Sequence, residues 1–328
     1  MRRRSFISGL GSMAAALPRG ARAQQTSRPV IGFLGTSSVE KYAIRLRAFR
    51  EGLEETGFVE GKNVAIDYRW ANYENERLPI LAAELVRRGV TVITAGGGTP
   101  AALAAKAATS TIPIVFAVAV DPVKVGLVAS LREPGGNITG VVNQNVAVAP
   151  KRLELLHELL PAAATIALLV NPTNPAMVEQ VEGVMEPIAS SLGMRLQVVR
   201  AGAERDFDAA FAAMAQMRAD ALVIDPDVLF NGLPEALAVR ALRQALPAVF
   251  HYREFVAAGG LVAYGASETE YYRLVGVQTG RILNGEKPAN LPVEQTTKVE
   301  LIINLKTAKT FGLTFPQSII ARADEVID

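Results

Sequence analysis

Short apolar runs alternate with amphipathic stretches along this chain, and the alternation occurs twice. Val30-Ile31-Gly32-Phe33-Leu34-Gly35 is an apolar run bounded by glycine, which predicts a strand buried on both faces. From about Arg45 to Thr56, Leu46, Phe49 and Leu53 recur at helical spacing, and Gly57 follows as a left-handed cap. The same reading gives a strand at 64–68, a helix from Arg77 to Arg88 stopped by Gly89, and a strand at 90–95. A helix at 100–108 and strands at 114–120 and 138–142 follow. The pattern then restarts with a helix near 151–160 and an apolar strand, Thr165 to Val170. A helix from Pro175 to Gly193, a strand at 195–199, a helix at 206–217 and a strand at 221–224 come next. A helix at 234–245 and a strand at 247–250 complete the second round.

Alternating β and α segments imply parallel sheets with helices on both faces. Two rounds imply two doubly wound α/β lobes with a cleft between them. The last third adds a strand at 261–265, a helix at 270–283, a strand at 299–303 and a short helix near 306–311, read as crossing back between the lobes. The hinge then has several crossings, near residues 142, 266 and 292. One lobe takes residues 29–141 plus 266–291, the other 142–265 plus 292–328.

Residues 1–23 stand apart from this pattern. Arg2-Arg3-Arg4, a short Gly/Ala-rich apolar stretch and Ala21-Arg22-Ala23 have the three-part form of a cleavable secretory signal. Arginine pairs followed by Ser5-Phe6-Ile7 resemble a bacterial twin-arginine signal. Cleavage near Ala23 changes the charge balance. Of the 34 Lys+Arg, five lie in the signal, leaving 29 against 32 Asp+Glu, a net of −3. That removes the argument for nucleic acid as a partner. Cysteine is absent, which excludes disulfides, Cys-ligated zinc and thiol catalysis. Stability must come from the cores, and roughly 300 residues suffice for two.

In an open parallel sheet, ligands bind beyond the carboxyl ends of the strands. That rule selects six loops: Thr36-Ser37-Ser38, Gly96-Gly97-Gly98-Thr99, Ala119-Val120-Asp121-Pro122, Asn171-Pro172-Thr173-Asn174, Asp225-Pro226-Asp227 and His251-Tyr252-Arg253-Glu254. Taken singly, such residues serve as helix caps; six polar loops at one cleft point to a ligand site. N–H groups of Thr36–Ser38 and of Gly97, Gly98 and Thr99, opening helices, suit a carboxylate. Asp121, Asp225 and Glu254 suit an ammonium group. Asn171, Thr173 and Asn174 add amide and hydroxyl groups, and Tyr252, Phe230 and Trp70 are candidate aromatic walls. The ligand so described is a small zwitterion, an amino acid.

Enzyme readings have less to stand on. Gly96-Gly97-Gly98-Thr99-Pro100-Ala101 fits G-x-G-x-x-A, which raises a nicotinamide-dependent enzyme as the alternative, but it follows the third strand rather than the first. No HExxH, GxSxG or Walker A pattern is present, and no spacing supports a triad on His251. No cofactor or metal site is expected.

Longer motifs add a resemblance. Pro29-Val30-Ile31-Gly32-Phe33-Leu34-Gly35, the Gly57–Val64 segment, Ala95 to Ala102, Ile112 to Phe116, Pro134 to Gly140, Leu169 to Pro175 and Ile303 to Lys309 occur in order. Together they resemble the TrpX-type substrate-binding proteins of ABC transporters, across essentially all of residues 28–328. The resemblance implies a type I periplasmic binding protein fold and a monomer working in the periplasm. It also implies capture of a small carboxylate or amino acid, aromatic ones leading, by hinge closure and delivery to an inner-membrane permease. A ligand-sensing module of the same fold is the other alternative. The pocket loops it carries over are Thr36–Ser38, Gly97–Thr99, Asp121, Asn171–Asn174 and Asp225.

Overall fold

The computed structural model describes residues 28–328; the export-signal reading concerns residues outside that range. In chain order the first half runs β1 (Val30–Gly35), α1 (Ala43–Glu55), β2 (Ala65–Trp70), α2 (Leu78–Arg87), β3 (Val92–Ala95), α3 (Gly98–Ala108), β4 (Ile114–Val118) and β5 (Ile138–Val142). The second runs α4 (Ala149–Leu159), β6 (Thr165–Val170), α5 (Pro175–Ser191), β7 (Arg195–Arg200), α6 (Phe207–Gln216) and β8 (Ala221–Ile224). It continues with α7 (Val228–Asn231), α8 (Pro234–Arg243), β9 (Ala248–Phe250), α9 (Arg253–Ala257) and β10 (Val262–Ala266). The last third holds α10 (Glu268–Leu283), β11 (Glu294–Gln295), β12 (Val299–Asn304), α11 (Leu305–Thr310), α12 (Gln317–Ile320) and β13 (Glu325–Ile327).

These strands make two sheets. One has the order β11-β5-β4-β3-β1-β2 and is parallel throughout. The other has the order β13-β12-β10-β9-β8-β6-β7, parallel except where β12 runs against β10. The two-residue strand period sorts the side chains. In the first sheet Ile31, Phe33, Val92, Val115 and Ala117 pack with α1 and α10, while Leu34, Ile93, Ile114 and Phe116 pack with α2 and α3. In the second, Ile166, Leu168 and Val223 meet α4 and α5, and Ala167, Leu169, Leu222 and Phe250 meet α6, α8 and α9. Strands buried on both faces read as unbroken apolar runs, which is why they were visible in the sequence.

The chain passes between the sheets three times: after Val142, after Ala266, and between Gln295 and Val299. The third passage lies a few residues beyond the position read from the sequence, because Glu294 and Gln295 pair with Val141 and Val142. Buried Arg152 joins the first two passages, donating to the carbonyls of Asn145 (2.8 Å) and Tyr264 (3.0 Å). Asn145 Oδ1 in turn accepts from the Ala266 N–H at 2.8 Å. Helix α10 returns to the first sheet and lies on α1 at unusually short range. A Cβ at Gly52 would overlap the Arg273 carbonyl, and one at Gly276 the Phe49 carbonyl, so each helix needs glycine there. No helix of the described residues is long and apolar enough to cross a membrane.

Candidate functional site

The carboxyl ends of β1 and β3 face those of β6 and β8 across a cleft, and loops from both sides line it. An outer cavity is bordered by Thr36, Tyr73 and Gly97 from the first lobe and by Asn171, Thr173 and Asp227 from the second. A deeper one, toward the hinge, has Arg45, Thr99 and Tyr272 on one side, Asn174, Asp227 and Tyr252 on the other, with Glu268 at the second crossing. Their volumes, about 20 and 30 Å³, each admit a water or two. At these two places little space is left between the lobes.

A few contacts join the lobes. Val228 of the second lobe reaches the first-lobe core cluster, and a Cβ on Gly98 would lie 3.0 Å from its Cγ2. Gly98 has φ +78°, so this turn into α3 needs glycine for its backbone as well. Asn75 Nδ2 donates to Thr173 Oγ1 at 3.2 Å, and Arg45 Nη2 to the Asn231 carbonyl at 3.4 Å. Tyr73, in the left-handed region at φ 65°, packs against the second-lobe cluster while accepting a 2.6 Å hydrogen bond from Ser37 Oγ.

Most of the loops chosen from the sequence do converge here: Thr36, Gly97, Gly98, Thr99, Asn171, Thr173, Asn174 and Tyr252 all line the cleft. Ser37 lies one hydrogen bond behind Tyr73. Ser38 is half-buried, and its carbonyl accepts from the Tyr42 N–H. Thr36–Ser38 does not open a helix, as α1 begins only at Ala43; the Thr36 and Ser37 carbonyls instead hold the N–H groups of Tyr73 and Asn72. The three carboxylates proposed for an ammonium group line neither cavity. Asp121 Oδ1 accepts from the N–H groups of Val123 and Lys124 as a turn cap, beside a lateral interlobe cavity of about 500 Å³. Glu254 borders a cavity of about 140 Å³ formed with Ser267 and Glu300.

Asp225 is 0 % exposed, and neither carboxylate oxygen has a hydrogen-bond partner. Burial raises its pKa well above the usual carboxylate range, the charge of Asp227 adds to this, and Arg152 opposes it. The carboxylate that reaches the cleft is Asp227, two residues on. It accepts from Asn171 Nδ2 (2.7 Å), Asn174 Nδ2 (2.8 Å) and the Leu229 N–H (2.9 Å), capping α7. Phe230 is core, packed on Phe207, and Trp70 stacks on Tyr68. His251 is buried, kept well below its usual pKa by desolvation and then by Arg152 and Arg45, and bonded to Asn231 rather than to any serine.

Arg45 and Glu268 were not singled out from the sequence. They form an ion pair at 2.8 Å with both side chains almost fully buried. Burial works against the Arg45 charge, but Glu268 together with Tyr272 and Tyr42 outweighs it and holds its pKa above the usual value. A signal existed for both. Arg45 lies four residues before Phe49 and eight before Leu53, and Glu268 lies four before Tyr272 and seven before Val275. A charge on an apolar helical stripe is a burial flag. Asp227 carried no such signal, because the helix that it caps spans only four residues and establishes no period.

Two-lobed geometry of this kind is matched by known proteins. A family described as ABC transporter substrate binding protein matches residues 36–327. The chain belongs to this family. A tyrosine-binding protein of Clostridioides difficile (strain R20291) is 27 % identical over 272 residues, 81 % of this chain and 76 % of that protein. The crystal structure of an ABC domain from Streptococcus pneumoniae in complex with L-Trp superposes with a TM-score of 0.82 at 26 % identity, covering 92 % of this chain and 100 % of that one. The ligand-free, open structure of a substrate binding protein with adhesive properties from Clostridium difficile has the same 26 % identity, covering 91 % and 99 %, but a TM-score of 0.64. This structure therefore superposes better on the L-Trp complex than on the open, ligand-free structure. The fold is that of type I periplasmic binding proteins. Substrate-binding proteins of this family bind ligands and are not enzymes, which sets aside the nicotinamide reading of Gly96–Ala101. Tyr42 and Tyr272 hydroxyls both donate to the Gly96 carbonyl there, at 3.0 and 2.9 Å. Among the described residues no cluster of His, Asp or Glu could hold a metal ion.

Proposed function

We propose that this protein is the exported, periplasmic binding component of an ABC importer. In this reading it captures a free amino acid, aromatic ones leading, between its lobes and delivers it, closed, to an inner-membrane permease. The observation that carries the reading is the pairing of opposite chemistries across one cleft. Thr36 Oγ1, Thr99 Oγ1 and Arg45 Nη1 on the first lobe have no hydrogen-bond partner, and Asp227 faces them from the second. Buried donors left unmatched cost roughly 1–3 kcal/mol each, which a ligand acceptor returns. An α-amino acid offers an acceptor and a donor in one small molecule. Tyrosine and tryptophan, named for two relatives, are supported by the tyrosine rings at 252, 271 and 272 along the deeper cavity. The lateral cavity, which shares Ala119 and Asn143 with it, gives a large side chain room.

A ligand that binds only the folded form raises the melting temperature. Screening the mature chain, which acts as a monomer in this reading, against tyrosine, tryptophan, phenylalanine, small organic acids and NAD is the direct test. The expected result is a shift with an aromatic amino acid. A shift with NAD alone overturns the reading.

A further inference from the structure

We infer that Arg45 and Thr99 form the subsite for the ligand's carboxylate, and that Arg45 determines specificity for ligands carrying one; the inference rests on the amino-acid reading above. Arg45 is held from every side but one. Its Nε donates to Glu268 Oε1 at 2.8 Å, and its guanidinium lies 4.7 Å from the Tyr42 ring centroid and 5.9 Å from that of Tyr272. Cation–π attraction to the two rings, which stand edge to face at 84°, and the bond to Glu268 restrict where the fork can lie. Nη2 makes only the 3.4 Å contact to Asn231, and Nη1 has no partner. The hydroxyls of Tyr42 and Tyr272 turn to the Gly96 carbonyl, and neither is hydrogen-bonded to Nη1.

Thr99 borders the same cavity, 2 % exposed, with its hydroxyl also unmatched. It belongs to the first turn of α3, where N–H groups lack intrahelical acceptors and the helix dipole favours an anion. A restrained guanidinium edge, a free hydroxyl and a helix N-terminus on one cavity form a preorganised anion site.

The charge count selects which anion. Glu268 already offsets Arg45, and Asp227 lies across the cavity. A dianion such as phosphate would be repelled by both carboxylates. A monoanionic carboxylate whose molecule also carries a cation fits, with the ammonium group toward Asp227. The donors belong to the first lobe and Asp227 to the second, so only a ligand with both groups draws the lobes together.

The experiment compares three ligands by calorimetric titration of the mature chain: L-tyrosine, tyramine (no carboxylate) and 3-(4-hydroxyphenyl)propionate (no amine). Wild type should prefer tyrosine to tyramine by about 100-fold, given unpaired buried donors in the tyramine complex. The double variant Arg45→Met/Glu268→Gln, which leaves no buried charge unpaired, should bring that preference to within a few-fold. Thr99→Val, nearly isosteric, should weaken tyrosine several-fold and tyramine not at all, so the inference stays testable if the double variant fails to fold. Undiminished preference for tyrosine in the variants overturns the subsite while leaving the amino-acid reading intact. Binding of the propionate but not of tyrosine, lost in the variants, overturns the amino-acid reading and supports the subsite. A wild type that binds none of the three overturns both.

Discussion

Asp225 and Asp227, two residues apart, have opposite environments. Asp225 is buried without a hydrogen-bond partner and its folded pKa is raised. A raised carboxyl pKa means that the folded state holds the proton more tightly. Its contribution is complete below the unfolded pKa of about 3.9 and is lost as pH rises through the folded value. Asp225→Asn cannot ionise and escapes that loss. It should be more stable than wild type by about 1 kcal/mol at pH 8, the gap closing toward pH 4 in urea denaturation series. A variant less stable than wild type at pH 8 would mean that the carboxylate is paired with Arg152 after all. Asp227 has three donors and a place on the cleft. Asp227→Ala should cost about 1 kcal/mol of stability through the lost cap, and about 2 kcal/mol or more of ligand affinity, read by calorimetry.

At the scale of elements, two glycine contacts decide how helices meet. Gly276→Ala would force α10 off α1 at the Phe49 carbonyl, and overpacking of this kind costs about 1–3 kcal/mol. Chemical denaturation should show the loss, with ligand affinity in the folded fraction unchanged. Gly98→Ala differs. Its positive φ costs about 1 kcal/mol on its own. The new methyl also meets Val228, which belongs to the other lobe, so the closed form suffers in addition. Ligand affinity should therefore fall in Gly98→Ala while the ligand-free melting temperature moves only slightly. Equal losses in both variants would mean that Gly98 has no part in closure.

For the whole molecule, the lobes are held apart from solvent by few and mostly polar contacts, some of them long. Such contacts make a shallow minimum, and a ligand touching both lobes deepens it. Small-angle scattering should show a smaller radius of gyration when saturating tyrosine is added, and an unchanged curve would favour binding to one lobe only. The hinge itself is not loose. One apolar cluster runs from the first sheet through Val142 and Val146 into α4, α5 and the second sheet. Three passages and a shared core predict a single calorimetric transition rather than two.

What the sequence by itself determined was the architecture: buried parallel strands are unbroken apolar runs, helices carry one apolar stripe, and Gly57, Gly89 and Gly193 close three helices in the left-handed region as expected. It also located the cleft, because strand ends and polar loops coincide in such sheets. The short elements, β11, β13, α7 and α9, were not legible, since two to five residues establish no period. Nor were the roles of individual charged groups. Whether Asp225 or Asp227 meets the cleft depends on the path of the chain around Pro226 after β8 ends. Arg45 meets Glu268 across 223 positions of sequence, a pairing that only the packing of α10 on α1 creates. Periodicity is local and survives in one dimension. Which carboxylate is paired, buried or left facing a ligand is settled by contacts between distant segments, and those exist only in the folded protein.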